Sequence, residues 1–148
     1  MDRKDFLKNC GFACMGSIGI AGILQSCSTT KLLNGKITGD DIIILVSDFE
    51  TRNGSNVYFK KYLVIQNDML QYPICVYRFN ENEYSALWMQ CSHQGSELQA
   101  AGDHLHCASH GSEFNNKGIN TQGPAELNLR TFPVVASTNN IFIDLRSS

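Results

Sequence analysis

Two short segments of the chain combine cysteine and histidine in nearly the same pattern. The segment Cys91–Ser96 reads Cys-Ser-His-Gln-Gly-Ser, and the segment Cys107–Ser112 reads Cys-Ala-Ser-His-Gly-Ser. Two sulfurs and two imidazoles in one site are typical of zinc sites and of iron–sulfur clusters. We therefore predict a metal centre whose four ligands are Cys91, His93, Cys107 and His110.

The spacing of the first segment favours a cluster over a single ion. A single metal would need both Cys91 and His93 in its own coordination shell, whereas structural zinc sites usually place two or more residues between paired ligands. A two-iron cluster relieves this crowding if each segment gives its Cys to one iron and its His to the other. Gly95 and Gly111 suit backbone that takes open conformations close to inorganic sulfur. A structural zinc module without a redox role is the weaker alternative.

These two segments resemble the Cys-x-His and Cys-x-x-His pair of the Rieske [2Fe–2S] family. The stretch Ser109–Phe114 is similar to the family's residues after its second Cys, and Gly123-Pro124 is similar to its proline loop, which covers the cluster. The resemblance implies one [2Fe–2S] cofactor at the tip of a small β-subdomain, with electron transfer as the role. It also implies six cluster-supporting residues, namely Gly95, Gly111, Ser112, Phe114, Gly123 and Pro124.

The chain departs from the family at positions that influence the reduction potential. High-potential members join the two segments by a disulfide, with Cys where Ser96 and Ser109 stand in this chain. The same members place a Tyr hydroxyl near a cluster sulfur at the position of Phe114, while Ser112 keeps the second hydroxyl donor. We therefore expect the site to bind the cluster with a potential in the lower or middle part of the Rieske range.

The N-terminal residues have the order of an export signal. Arg3, Lys4 and Lys8 make a positive start, residues 11–24 are apolar, and Cys27 follows small and polar residues. The apolar stretch is about 14 residues long, short of the ~20 that a membrane-spanning helix needs. An uncleaved anchor helix is the alternative to a cleaved signal.

A resemblance to lipoproteins refines this interpretation. Leu24–Cys27 resembles a bacterial lipobox, in which the Cys is lipidated, and the first residues resemble a twin-arginine signal with Lys4 at the second arginine position. We predict a signal peptide over residues 1–26, a flexible tether over residues 27–41 and the Rieske domain over residues 42–148. The protein is then exported by a bacterium, is anchored to a membrane through lipidated Cys27, and faces the periplasm or the cell exterior.

The remainder of the chain predicts an all-β fold, an antiparallel barrel or sandwich. Short runs rich in β-branched and aromatic residues recur between Gly, Asn and Asp clusters, and Asn53-Gly54 is typical of a turn or hairpin. The predicted strands are Ile42–Phe49, Val57–Ile65, Tyr72–Phe79, Tyr84–Gln90, His104–Cys107, Thr131–Ala136 and Ile141–Leu145.

Composition and charge argue against nucleic-acid binding, and the resemblance to the Rieske family implies electron transfer. The chain has 43% hydrophobic residues and a net charge of −2 without a basic stripe, so it is not a nucleic-acid-binding protein. We expect a one-electron carrier whose partner is a cytochrome, a quinol-oxidising complex or the large subunit of an oxidoreductase. The alternative is the electron-input component of an oxygenase or another multi-subunit oxidoreductase. No His follows His110 in this chain, so we expect the mononuclear iron of such an oxygenase to lie elsewhere.

Overall fold

The computed structural model describes residues 32–146. Over this range the chain forms fifteen short strands and one 3₁₀ helix, Val46–Phe49. In chain order the strands are β1 Leu32–Asn34, β2 Lys36–Thr38, β3 Asp41–Leu45, β4 Glu50–Asn53, β5 Asn56–Phe59, β6 Tyr62–Gln66, β7 Ile74–Arg78, β8 Tyr84–Trp88, β9 Gln99–Ala101, β10 His104–His106, β11 Glu113–Asn115, β12 Asn120–Gln122, β13 Thr131–Phe132, β14 Val134–Ala136 and β15 Asn140–Asp144.

A five-stranded sheet in the order β1-β6-β7-β8-β13 lies at the centre of the fold and is buried on both faces. Successive side chains of a strand point to opposite faces, so Ile74 and Val76 of β7 enter one core while Cys75 and Tyr77 enter another. All four side chains are buried. This explains why the strand is a continuous apolar run and does not alternate.

The first of the two cores joins the central sheet to a second sheet, in the order β14-β15-β3-β2. β15 pairs antiparallel with β3, which places Ile141 opposite Ile44 and Ile143 opposite Ile42. All four isoleucines are buried, together with Phe49 of the 3₁₀ helix. This core forms the base of the molecule.

The second core joins the central sheet to a small sheet in the order β12-β11-β10-β9. Leu105 and Phe114 of the small sheet fill this core, together with Leu98, which lies just before β9. Cys91 and Cys107 belong to the same core. The two segments that carry the predicted ligands are therefore held between the central sheet and a four-stranded cap.

The predicted all-β class is confirmed, and most predicted strands are present with altered bounds. Asn53 ends β4 and Gly54 begins the turn of the β4–β5 hairpin, where Gly54 has a φ of +61°. The run 57–65 divides at Lys60 and Lys61, and the run 131–136 divides at Pro133. The three-residue strands β9, β11 and β12 were not predicted, because three residues are too few to show a period of two.

The predicted tether is wrong for residues 32–38. β1 pairs in parallel with β6, and β2 pairs antiparallel with β3. Of the three apolar side chains in this segment, Leu33 and Ile37 pack against the core of the base, whereas Leu32 is exposed. The predicted signal peptide, Cys27 and the start of the tether lie outside the described residues.

Candidate metal centre

The two predicted ligand segments form loops with the same backbone hydrogen bonds. In the first loop, residues 91–96, the N–H of Cys91 donates to the carbonyl of Ser96 at 2.8 Å and the N–H of Gly95 donates to the carbonyl of Cys91 at 2.9 Å. The second loop, residues 107–112, repeats both bonds at the equivalent positions with the same distances. Gly95 and Gly111 have φ values of +75° and +80°, a region that favours glycine.

The two cysteines lie side by side at the base of the loops. Both are buried, and neither forms a disulfide. Burial acts to raise the pKa of the Cys107 thiol, but the pKa is nevertheless lowered, because the backbone N–H groups of His110 and Ser109 and the side chain of Cys91 are directed at its sulfur. A lowered pKa favours the thiolate, which is the form that binds a metal.

The two histidines form a second pair, nearer to solvent. The rings of His93 and His110 have centroids 4.9 Å apart, with His93 half-buried and His110 exposed. The Nδ1 atom of His93 is buried and has no hydrogen-bond partner. A buried polar atom without a partner is costly, and a metal ion bound to it would remove that cost.

These donors fit a [2Fe–2S] cluster with two thiolates on one iron and two imidazoles on the other. The sulfurs are paired with each other and the rings with each other, as that ligation requires. Within residues 32–146, no three His, Cys, Asp or Glu side chains are grouped as ligands of a single metal ion. A two-iron cluster needs only two protein ligands at each iron.

A covering loop, residues 123–129, lies against both ligand loops. The hydroxyl of Ser112, which is fully buried, accepts a hydrogen bond from the N–H of Ala125 at 3.0 Å. That bond leaves the hydroxyl proton of Ser112 available for a sulfur acceptor. Gly123 and Pro124 are exposed at the start of the covering loop, whereas Phe114 is fully buried opposite Leu105.

Three side chains that hold these loops were not identified from the sequence. Ser92 donates from its hydroxyl to the carbonyl of Leu127 at 2.6 Å and so joins the first loop to the covering loop. Tyr72 and Gln122 donate to carbonyls of the first and second loops. No sequence signal marks them, because their roles depend on which backbone carbonyl they reach.

A comparison with protein families identifies the fold and the cofactor. The Rieske [2Fe-2S] domain family matches residues 53–133, more than half of the chain. The chain belongs to the Rieske [2Fe–2S] family. As a Rieske protein it binds one [2Fe–2S] cluster, carries electrons and acts together with redox partner proteins. No curated protein matches the chain.

The chain is similar to a solved Rieske protein and, more weakly, to two further solved structures. The cyanobacterial plasma membrane Rieske protein PetC3 from Synechocystis PCC 6803 is 29% identical with a TM-score of 0.50, over 57% of this chain and 86% of that one. The complex of reduced oxygenase and oxidized ferredoxin in carbazole 1,9a-dioxygenase contains a chain that is 21% identical with a TM-score of 0.47, over 60% of this chain and 83% of that one. The Sphingomonas yanoikuyae B1 ferredoxin is 20% identical with a TM-score of 0.45, over 57% and 84%.

Proposed function

We propose that this Rieske protein is a one-electron carrier whose cluster is held by Cys91 and Cys107 at one iron and by His93 and His110 at the other. The observation that carries the proposal is the pairing of like donors in the two ligand loops, with the two cysteine sulfurs beside each other and the two imidazole rings beside each other. When bound, the cluster takes up and releases single electrons. The protein supplies the thiolates, the imidazoles and the hydrogen bonds that support the added negative charge.

The exposed surface of the two ligand loops and the covering loop predicts how a redox partner docks. His110 is exposed there and His93 is half-buried, so the imidazole edges offer the shortest route between the cluster and a partner. The two ligand loops and the covering loop carry one charged residue among them, Glu126, and the side chain of Leu127 is 69% exposed. We therefore expect apolar and hydrogen-bonding contacts with the partner, and electron exchange that depends weakly on ionic strength.

We further propose that the protein works in a membrane-associated or periplasmic redox chain. The support is the lipobox-like segment Leu24–Cys27 behind a charged and apolar start. PetC3, the Synechocystis protein of similar fold, is described as a plasma membrane protein. No helix among residues 32–146 is long and apolar enough to cross a membrane. In this proposal residues 1–26 are the signal, lipidated Cys27 is the anchor, and a tether leads from it to the domain.

Metal analysis together with EPR spectroscopy tests the proposed cluster. We expect iron and acid-labile sulfide in equal amounts, with a Rieske-type EPR spectrum after reduction and none in the oxidised protein. Zinc without sulfide would establish the structural zinc module instead. If the protein reduces a purified oxygenase component but no cytochrome and no quinone-linked complex, the oxygenase-linked alternative replaces the proposed chain.

A further inference from the structure

The glycine carbonyls of the two ligand loops are each held by a side chain from outside the loops. The Tyr72 hydroxyl donates to the Gly95 carbonyl at 2.6 Å, and the Gln122 amide donates to the Gly111 carbonyl at 2.9 Å. The two glycines occupy the same place in their loops, four residues after the Cys. Each loop thus receives one hydrogen bond of the same kind at the same position.

Each of these two glycines is also hydrogen-bonded to a proposed cysteine ligand. The N–H of Gly95 donates to the carbonyl of Cys91, and the N–H of Gly111 donates to the carbonyl of Cys107, both at 2.9 Å. Glycine at a φ of +75° or +80° has little conformational preference of its own, so its partners decide where each peptide lies. A displaced glycine would therefore displace the backbone of the adjacent cysteine.

The two donors connect the loops to different parts of the fold. Tyr72 stands just before β7, and its half-buried ring meets the ring of Trp88 edge to face, with centroids 5.7 Å apart. Gln122 is the last residue of β12 and is exposed. The first loop is thereby attached to the central sheet and the second loop to the small sheet. The cysteines of the described residues are free, so no disulfide joins the loops there.

We infer that Tyr72 and Gln122 are positioning residues that keep Cys91 and Cys107 at the distance and orientation that the cluster requires. This inference rests on the proposed ligand set. The backbone N–H groups directed at the Cys107 sulfur stabilise negative charge there, and such hydrogen bonds raise the potential of a cluster. Loosening the second loop should weaken them and lower the potential.

Substitutions that remove only the donor test the inference. Tyr72→Phe deletes one hydroxyl, and its matched control is Tyr62→Phe, since Tyr62 donates to the Ala100 carbonyl at 3.4 Å outside the ligand loops. Gln122→Met keeps the length of the side chain, and its matched control is Gln66→Met, since Gln66 donates to Asn34 at 3.3 Å. The measurements on the holoprotein are iron release into excess EDTA, the reduction potential and the EPR g-values.

We expect Tyr72→Phe and Gln122→Met each to release iron about fivefold faster than the wild type, the effect of losing one ordinary hydrogen bond. Each should also have shifted g-values, and Gln122→Met should have a lower potential, while both controls match the wild type. Because Gln122 is exposed, Gln122→Met provides the test if Tyr72→Phe does not fold. Wild-type release rates, potentials and g-values in both variants would overturn the inference. A wild-type protein without a Rieske spectrum would instead overturn the proposed ligand set.

Discussion

The imidazole rings of His93 and His110 lie edge to face, with their centroids 4.9 Å apart and their planes at 83°. A metal-bound ring nitrogen lies about 2 Å from the metal, so two imidazoles on one tetrahedral iron have centroids roughly 5 Å apart. The rings of His104 and His106 on β10 are 6.3 Å apart and lie on a single strand. The first pair therefore matches the ligation of one iron, and the second pair supplies a natural control.

Replacing His93 or His110 by Ala should abolish the Rieske EPR spectrum. A methyl group offers no lone pair, so the iron on that side loses one of its two protein ligands. His104→Ala is the matched control, because His104 is exposed on β10, and we expect it to keep the spectrum. An unchanged spectrum in His93→Ala would remove this residue from the site.

The wild-type potential should lie in the lower or middle part of the Rieske range of about −150 to +300 mV. Ser112→Ala should lower it further, because alanine has no hydroxyl to donate to a cluster sulfur. Protein-film voltammetry measures both values. Ser85→Ala is the control, since its hydroxyl donates to the Asn116 carbonyl, outside the ligand and covering loops. If Ser112→Ala and Ser85→Ala leave the potential equally unaffected, Ser112 does not support the cluster.

Cys27→Ala should leave the precursor unprocessed or release the domain from the membrane. Lipidation at Cys27 supplies the proposed anchor, and an acyl chain contributes roughly 0.8 kcal/mol of membrane affinity for each buried methylene. Mass spectrometry of the N-terminus and fractionation of the cells check this, with Cys14→Ala as the control. An intact Met1 N-terminus on the wild-type protein in cells would contradict the lipoprotein proposal.

Cys75 should resist alkylation in the folded protein. Burial raises the pKa of its thiol to about 12, so the thiol remains protonated at pH 7 and at pH 9, whereas the reactive form is the thiolate. Iodoacetamide labelling followed by mass spectrometry should find Cys75 unmodified at both values and modified after denaturation. Substantial labelling of the native protein at pH 9 would show an accessible thiol whose pKa lies near the ordinary value of about 8.5.

Gly35→Ala should destabilise the domain by about 1–3 kcal/mol, the usual cost of overpacking. A Cβ at Gly35 would stand 2.6 Å from Ile65 Cγ2 and 2.8 Å from Ile42 Cγ2, with one of these side chains in each of the two sheets of the base. Thermal unfolding measures the effect, and Lys36→Ala, at an exposed neighbouring position, is the control. Equal melting temperatures for the two variants would show that the sheets adjust without cost.

The sequence by itself determined the chemistry of the site. Cysteine and histidine at these spacings specify two thiolates and two imidazoles, because ligand type depends on side-chain identity. The all-β class and the Asn53-Gly54 hairpin were also predictable, because strand and turn preferences depend on only a few neighbouring residues in the sequence. The segment 32–38 shows the limit of such patterns, because its three apolar residues do not reveal which sheets its strands join.

Tertiary structure alone decided which donors stand together and what holds them. Thirteen residues separate His93 from Cys107, and only the folding of the cap over the central sheet places the two loops side by side. The hydrogen bonds from Tyr72 and Gln122 arise in the same way, because each joins a side chain to a backbone carbonyl 23 or 11 positions away. A backbone carbonyl is present at every residue, so no pattern of side chains can indicate in advance which one will be reached.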